Sequence, residues 1–230
     1  MSSIVNPRII LTNFHSRFTG VSATIANLAE RHEKQFDVVI LGKRLPVSTP
    51  QIGRWQLPRF FWKRGHEKIS IWHARRNSEM LLGLFAKHVL RIPLRLVFTT
   101  VALRRHSFFP RFLLSKMDTI IATTHEASSY VDRCDAIIPH GIDTEVFTPP
   151  EDKLAAWQQS GLPGKYGIGI FGRIRAEKGT DLFVEAMCRL MPKYPEFTAI
   201  IAGHCKSKDI PFKEALKKKL SDAGIEDRVI

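Results

Sequence analysis

The sequence predicts an α/β fold built as two successive sheet-and-helix domains. Three observations predict it. The chain opens with a strand, a loop, a helix and a second strand, the usual start of an α/β domain. Apolar runs and stretches of helical spacing then alternate along the chain. Finally, Pro149-Pro150 breaks regular structure once, after which the same alternation resumes. The expected domains are 1–150 and 151–230.

Pro7 to Leu11 reads as a short buried strand, and Phe14 to Gly20 as a loop. Val21 to Glu33 has helical spacing, with Val21, Ile25, Leu28 and Ala29 on one face. Phe36 to Leu41 is a second strand and Glu67 to Trp72 a third. Asn77 to Leu90 is helical, Leu94 to Thr99 a strand, and Phe109 to Lys116 helical. Thr119 to Ala122 is a strand, followed by a helix from His125 to Arg133. Ala136 to Ile138 is the last strand of the first domain. In the second domain, strands are expected at Gly167 to Phe171 and Thr198 to Ala202. Helices are expected at Thr180 to Met191 and Pro211 to Asp222, and Arg228-Val229-Ile230 opens a further strand. Two strands, two helices and that stub are a marginal core for the second domain.

The chain has 230 residues, 44% of them hydrophobic. No charged-plus-apolar leader and no run of membrane-spanning length is visible. Cys134, Cys188 and Cys205 lie far apart with no C-x-x-C spacing, which argues against zinc and against a disulfide framework. A reducing cytoplasm is the expected setting. The formal net charge is +13, and residues 54–116 hold 14 basic side chains against 2 acidic ones. Such a patch attracts anionic lipid, phosphorylated glycan or nucleic acid.

The residues with the most chemical content are Gly172-Arg173-Ile174-Arg175-Ala176-Glu177-Lys178-Gly179. A strand runs into them and a helix leaves them. The helix N-terminus favours an anion. Arg173 offers forked hydrogen bonds to a phosphate and Lys178 a compact charge. Glu177 either orients the loop or complements the helix dipole. The plainer alternative is a βα loop with two solvated cations.

This segment resembles the G-R-(I/L)-x-x-E-K-G signature of glycosyltransferase family 4. Upstream, Pro139-His140-Gly141-Ile142-Asp143 with Phe147 and Pro149 is similar to the same family's interdomain segment. Ile71-Trp72-His73-Ala74-Arg75-Arg76-Asn77 and Met117 to Thr123 resemble its lipopolysaccharide-core mannosyltransferases. The resemblance implies a GT-B-like fold of two Rossmann-like domains, the second incomplete in this chain. It implies a retaining hexosyl transfer from a nucleotide sugar, GDP-mannose by the narrower likeness, to a lipopolysaccharide-core or other lipid-linked acceptor. No metal and no cofactor beyond the donor are expected.

By the same resemblance Arg173 and Lys178 neutralise the donor diphosphate, with Glu177 beside them. Gly20 lies on the first loop near the diphosphate, although relatives often carry two glycines there. His73 and His106 are the candidate catalytic imidazoles. His73 follows an apolar strand, and Arg75 and Arg76 beside it suit acceptor phosphates. Many relatives place a histidine after the strand matching Leu94 to Thr99; here Thr99-Thr100 stands there, and His106 is the nearest imidazole. The plain readings are a loop glycine at Gly20 and a partly buried histidine among solvated arginines at His73. The family's paired glutamates would fall beyond Ile230. The expectation is therefore a truncated enzyme of doubtful activity.

Two literal matches fail on context. Gly167-Ile168-Gly169-Ile170-Phe171-Gly172 fits G-x-G-x-x-G, but these glycines lie within the strand, whereas in a dinucleotide fold they follow it. Gly161-Leu162-Pro163-Gly164-Lys165 is too short for a phosphate-binding loop and has no hydroxyl residue after the lysine.

Arg54 to Arg64 and Arg104 to Lys116 interleave aromatic and basic residues. That mixture suits an anionic headgroup layer. A peripheral position on the inner face of the cytoplasmic membrane is expected. The rival readings are a nucleic-acid-binding protein, which lacks any usual recognition motif, and a non-catalytic remnant that binds glycan or partners. No nucleic-acid partner is expected.

Overall fold

The computed structural model describes residues 7–57 and 69–230. The chain divides into two units, Met1–Asp143 and Thr144–Ile230. The proline pair at 149–150 thus lies a few residues inside the second unit.

The first unit is a parallel sheet of seven strands: β1 (Ile9–Asn13), β2 (Val38–Gly42), β3 (Gln51–Ile52), β4 (Ser70–Ala74), β5 (Leu94–Thr100), β6 (Thr119–Ala122) and β7 (Ala136–Ile137). Their spatial order is β3-β2-β1-β4-β5-β6-β7. Its helices are α1 (Gly20–His32), α2 (Asn77–His88), α3 (Phe108–Ser115) and the single turn α4 (His125–Ser128).

Side chains alternate across the strands and feed two cores. On one face Ile9, Leu11, Val38 and Ile40 pack with Ile25 and Ala29 of α1. On the other, Ile10, Trp72, Leu96 and Phe98 pack with Met80 and Ala86 of α2 and Leu113 of α3. This parity decides where the odd-numbered residues of β4 point. Trp72 and Ala74 face α2, so Ile71, His73 and Arg75 face the α1 side.

Several expectations need correction. The strand expected at Glu67 to Trp72 begins at Ser70 and continues to Ala74, while Glu67 and Lys68 lie outside the described residues. His73 and Ala74 are held in the sheet by pairing with Val97 and Phe98 of β5. His73 therefore lies inside the strand and does not follow it. The helix expected from His125 to Arg133 stops at Ser128. There the Ser128 hydroxyl donates to His125 O (2.6 Å) and the Ser129 hydroxyl to Glu126 O (2.7 Å). Such local bonds compete with helix propagation. The short strand β3 has no alternating signature and was not expected.

The second unit pairs β8 (Tyr166–Phe171) in parallel with β9 (Phe197–Ala202). Helices α5 (Lys153–Gln159), α6 (Thr180–Leu190) and α7 (Ile210–Asp222) accompany them. Val184, Met187 and Met191 meet Leu216, Leu220, Ile225 and Ala199 in its core. The expected strand at the chain end is a single parallel bridge, Val229 to Ala199, after the tight turn Glu226–Arg228. Helix α5 was not expected, although Asp152 caps it by accepting from the Leu154 and Ala155 amides (2.8 and 3.1 Å).

Candidate functional site

The cationic loop follows β8 in the second unit. The Gly172 amide donates to Ala202 O (2.9 Å) and the Ile174 amide to His204 O (3.2 Å), which straps this loop to the one after β9. The two loops pass so closely that a Cβ on Gly203 would stand 1.7 Å from Gly172 O. A tight turn at Ala176–Lys178 leads to Gly179, whose φ of +72° turns the chain into α6. Glycine reaches that left-handed conformation without the Cβ clash other residues meet.

Arg173, Glu177 and Lys178 are all exposed on this loop. Arg175 pairs with Glu177 at 3.5 Å, which leaves Arg173 and Lys178 without an ion-pair partner among the described residues. The backbone amide of Glu177 and then Arg175 hold the Glu177 carboxyl below the ordinary carboxylate range. The loop thus presents two unspent cations beside a helix N-terminus, a suitable seat for an anion.

The first unit has a second feature, a cavity of about 630 Å³ on the α1 side of the sheet. His73, Arg75, Thr99 and Thr123 line it from the carboxyl ends of the strands, and Arg31 and His32 line it from α1. In open α/β sheets this is the end at which ligands bind. The Ile138 to Asp143 stretch lines another wall, with Arg31 Nη2 at 3.2 Å from Asp143 Oδ1.

Within the cavity His73 is buried, and its Nε2 shares a 2.7 Å hydrogen bond with Thr99 Oγ1. Register explains the contact. His73 sits opposite Val97, and Thr99 is one diagonal step further along β5 on the same face. Burial first, then Arg75 and His32, push the His73 imidazole well below 6.5, so the ring is neutral near pH 7. Burial and Arg75 likewise push His32 down.

Arg75 and Arg76 part company. The guanidinium of Arg76 is spent internally on Glu79 Oε1 (3.2 Å), Thr19 Oγ1 (3.3 Å) and Asn13 Oδ1 (3.5 Å). In Arg75 the Nε and Nη1 atoms are buried and have no hydrogen-bond partner among the described residues. Burial lowers its pKa to about 10 even though Glu79 pulls the other way.

Gly20 and His106 lie elsewhere. Gly20 is the first residue of α1, after the cap Thr19, and a Cβ there would meet nothing within 4 Å. No neighbour therefore requires glycine at this place, and Gly20 does not line the cavity. His106 sits half-buried between β5 and α3, outside the group formed by His73, Arg75 and Thr99. Burial and Arg104 lower its pKa.

Sequence reasoning missed Glu79 and His32. Glu79 is fully buried and takes four donors: the Thr12 hydroxyl (2.9 Å), the Phe14 amide (3.3 Å), the Arg75 amide (2.8 Å) and Arg76. The Arg76-x-x-Glu79 spacing at the start of α2 was the available signal. His32 is the last residue of α1, and nothing in the local sequence marks it. Among the described residues no cluster of three or more His, Cys, Asp or Glu side chains is placed to hold a metal ion.

No family model matches the chain. Individual relatives do. Over 232 residues it is 37% identical to the lipopolysaccharide core biosynthesis mannosyltransferase LpcC of Rhizobium leguminosarum bv. viciae. Over 234 residues it is 40% identical to the corresponding LpsB of Rhizobium meliloti. Each match covers 100% of this chain and 66% of the relative. Among solved structures, Anabaena Alr3699/HepE in complex with UDP superposes with a TM-score of 0.72 at 16% identity, over 96% of this chain and 68% of that one. A glycosyltransferase from Rickettsia africae gives 0.71 at 13% identity, over 98% and 68%. At those identities the two structures speak for the fold alone. The identity to the two mannosyltransferases, spread over the whole chain, and the superposition on these structures agree: the chain belongs to glycosyltransferase family 4 and has its GT-B fold.

Proposed function

We propose that this chain carries the diphosphate-binding loop and the acceptor side of a retaining hexosyltransferase that draws mannose from GDP-mannose and adds it to a lipopolysaccharide-core or other lipid-linked glycan. The observation that carries this reading is the pair of exposed, unpaired cations, Arg173 and Lys178, held beside α6 by a loop strapped at Gly172 and Ile174. Cleavage of a sugar–phosphate bond builds negative charge on the departing nucleotide. Fixed cations that meet that charge stabilise the transition state more than the ground state.

The likeness to the two mannosyltransferases supports the donor and the acceptor. The first unit supports a membrane setting. Trp55 and Phe108 are 93% and 86% exposed, and Arg54, Arg104 and Arg105 are exposed near them in sequence. The rest of the first aromatic-basic cluster, Pro58 to Arg64, lies outside the described residues. On this reading the protein works as a peripheral protein of the inner leaflet.

Calorimetric titration with GDP, UDP and ADP tests the donor side. The chain binds GDP best, and Arg173→Ala with Lys178→Ala weakens binding roughly 10- to 100-fold per cation removed, the worth of a charge-assisted hydrogen bond. Undiminished GDP affinity in the double variant would remove the basis of the proposal.

A further inference from the structure

The cavity of the first unit contains a charge that the protein itself does not satisfy. Arg75 enters it from the end of β4 on the α1 side of the sheet. Its Nε and Nη1 are buried and unpartnered, and so is the Nδ1 of His32 across the cavity. Native proteins pair nearly all such atoms, so unpaired nitrogens lining one cavity call for an explanation.

The neighbours do not supply the missing partner. Glu79, the nearest carboxylate, already takes four donors, and it reaches Arg75 only through the backbone amide. Asp143 at the rim is paired with Arg31. Glu33 accepts the hydroxyls of Ser48 and Thr49 (3.1 and 2.6 Å). His73 and His32 are both pushed toward the neutral form, so the guanidinium is the cavity's buried cation. Around it stand groups suited to sugar hydroxyls: the paired His73 and Thr99, with Thr24 and Asn27. The volume of about 630 Å³ falls in the usual range for a small-molecule site.

We propose that this cavity is an oxyanion subsite, in which the Arg75 guanidinium binds a carboxylate or phosphate group carried by the acceptor while the hydroxyl and imidazole groups around it hold the adjoining sugar. The proposal rests on the glycosyl-transfer reading for the identity of the carrier. A planar guanidinium fork matches either oxyanion with two parallel hydrogen bonds. Burial makes each bond stronger than it would be in water. The site thereby rejects a neutral acceptor, because binding one would leave the buried cation unpaired.

The test uses the full chain with ¹³C-labelled histidine. Inorganic phosphate, glucuronate and, as the uncharged control, glucose are titrated while thermal unfolding and the His73 and His32 ring resonances are followed. Phosphate, glucuronate or both raise the unfolding temperature and shift both resonances toward the protonated position, since an anion beside Arg75 offsets the charge that holds the imidazoles neutral. Whichever probe binds tells a phosphate-bearing from a carboxylate-bearing acceptor. Glucose does neither. Arg75→Gln abolishes the response, with affinity down roughly 10- to 100-fold, and Arg75→Lys, which keeps charge without the fork, recovers part of it.

The idea is overturned if neither anion moves the two resonances in the parent chain, a result that does not depend on how any variant folds. It is equally overturned if Arg75→Gln responds like the parent. GDP titration keeps the two readings apart. Intact GDP binding with a silent cavity sinks the subsite alone, whereas anion binding without GDP binding sinks the transfer reading.

Discussion

His73 shows how one residue takes its chemistry from neighbours far away in the chain. Burial comes first, then Arg75 two residues on and His32 from α1, and together they depress its pKa well below 6.5. A base with a lowered folded pKa binds fewer protons folded than unfolded. The stability it confers is therefore complete above 6.5 and drains away as the pH falls through that value toward the folded pKa. Thermal melts between about pH 7.5 and about pH 5.5, the range in which histidine titrates, should show unfolding temperature dropping on acidification. His73→Gln, which keeps a polar group near Thr99, should flatten that slope. An unchanged slope would mean that His73 is not the group responsible. The residue types at this site, one histidine and two arginines, were readable in the sequence. Their different fates were not. Nothing local says that Arg76 is spent on Glu79 while Arg75 is left over, or that a glutamate in the first turn of a helix is fully buried, where glutamates are seldom found.

Glu79 acts at the scale of elements. Its two oxygens take donors from Thr12 at the end of β1, Phe14 in the loop beyond it, and Arg75 and Arg76 between β4 and α2. One buried carboxylate thus ties the carboxyl ends of two central strands to the helix that covers them. Glu79→Ala strands the Arg76 guanidinium and the donors beside it, and urea unfolding should register a loss of about 3–5 kcal/mol. Glu79→Gln, which keeps the acceptor oxygen, should lose less. A loss below about 1 kcal/mol in the alanine variant would mean that water replaces the carboxylate. Strands such as β5, β6 and β8 were legible because each is a run of apolar residues with its own local signal. The end of α4 and the cap of α5 depend on single hydroxyl and carboxylate hydrogen bonds, which a hydrophobic pattern does not register.

At the scale of the whole molecule the net charge of +13 is concentrated in residues 54–116. In the described part of that stretch, α3 turns Phe108, Phe109 and Phe112 outward and buries Leu113 and Leu114. Exposed aromatics beside arginines suit the headgroup layer of an anionic leaflet, where each basic residue near the surface adds roughly 1 kcal/mol. No helix among the described residues is long and apolar enough to cross a membrane. Co-sedimentation should show binding to vesicles containing phosphatidylglycerol and little to neutral phosphatidylcholine. Replacing Phe108 and Phe112 with serine should weaken it without altering the melting temperature. Equal binding to both vesicle types would end the idea.

The sequence by itself determined the α/β architecture and the place of the Gly172 to Gly179 segment as a βα loop. Both are written in short consecutive stretches: apolar runs that become strands, and a βα turn whose cations and glycines are adjacent in the chain. Only the tertiary structure decided that His32, His73, Arg75 and Thr99 share one cavity, that His106 and Gly20 stand apart from it, and that one arginine is paired and the other is not. The reason is that convergence, burial and the pKa shifts they produce are set by neighbours brought together through strand register and helix packing. No local pattern of residues encodes those neighbours.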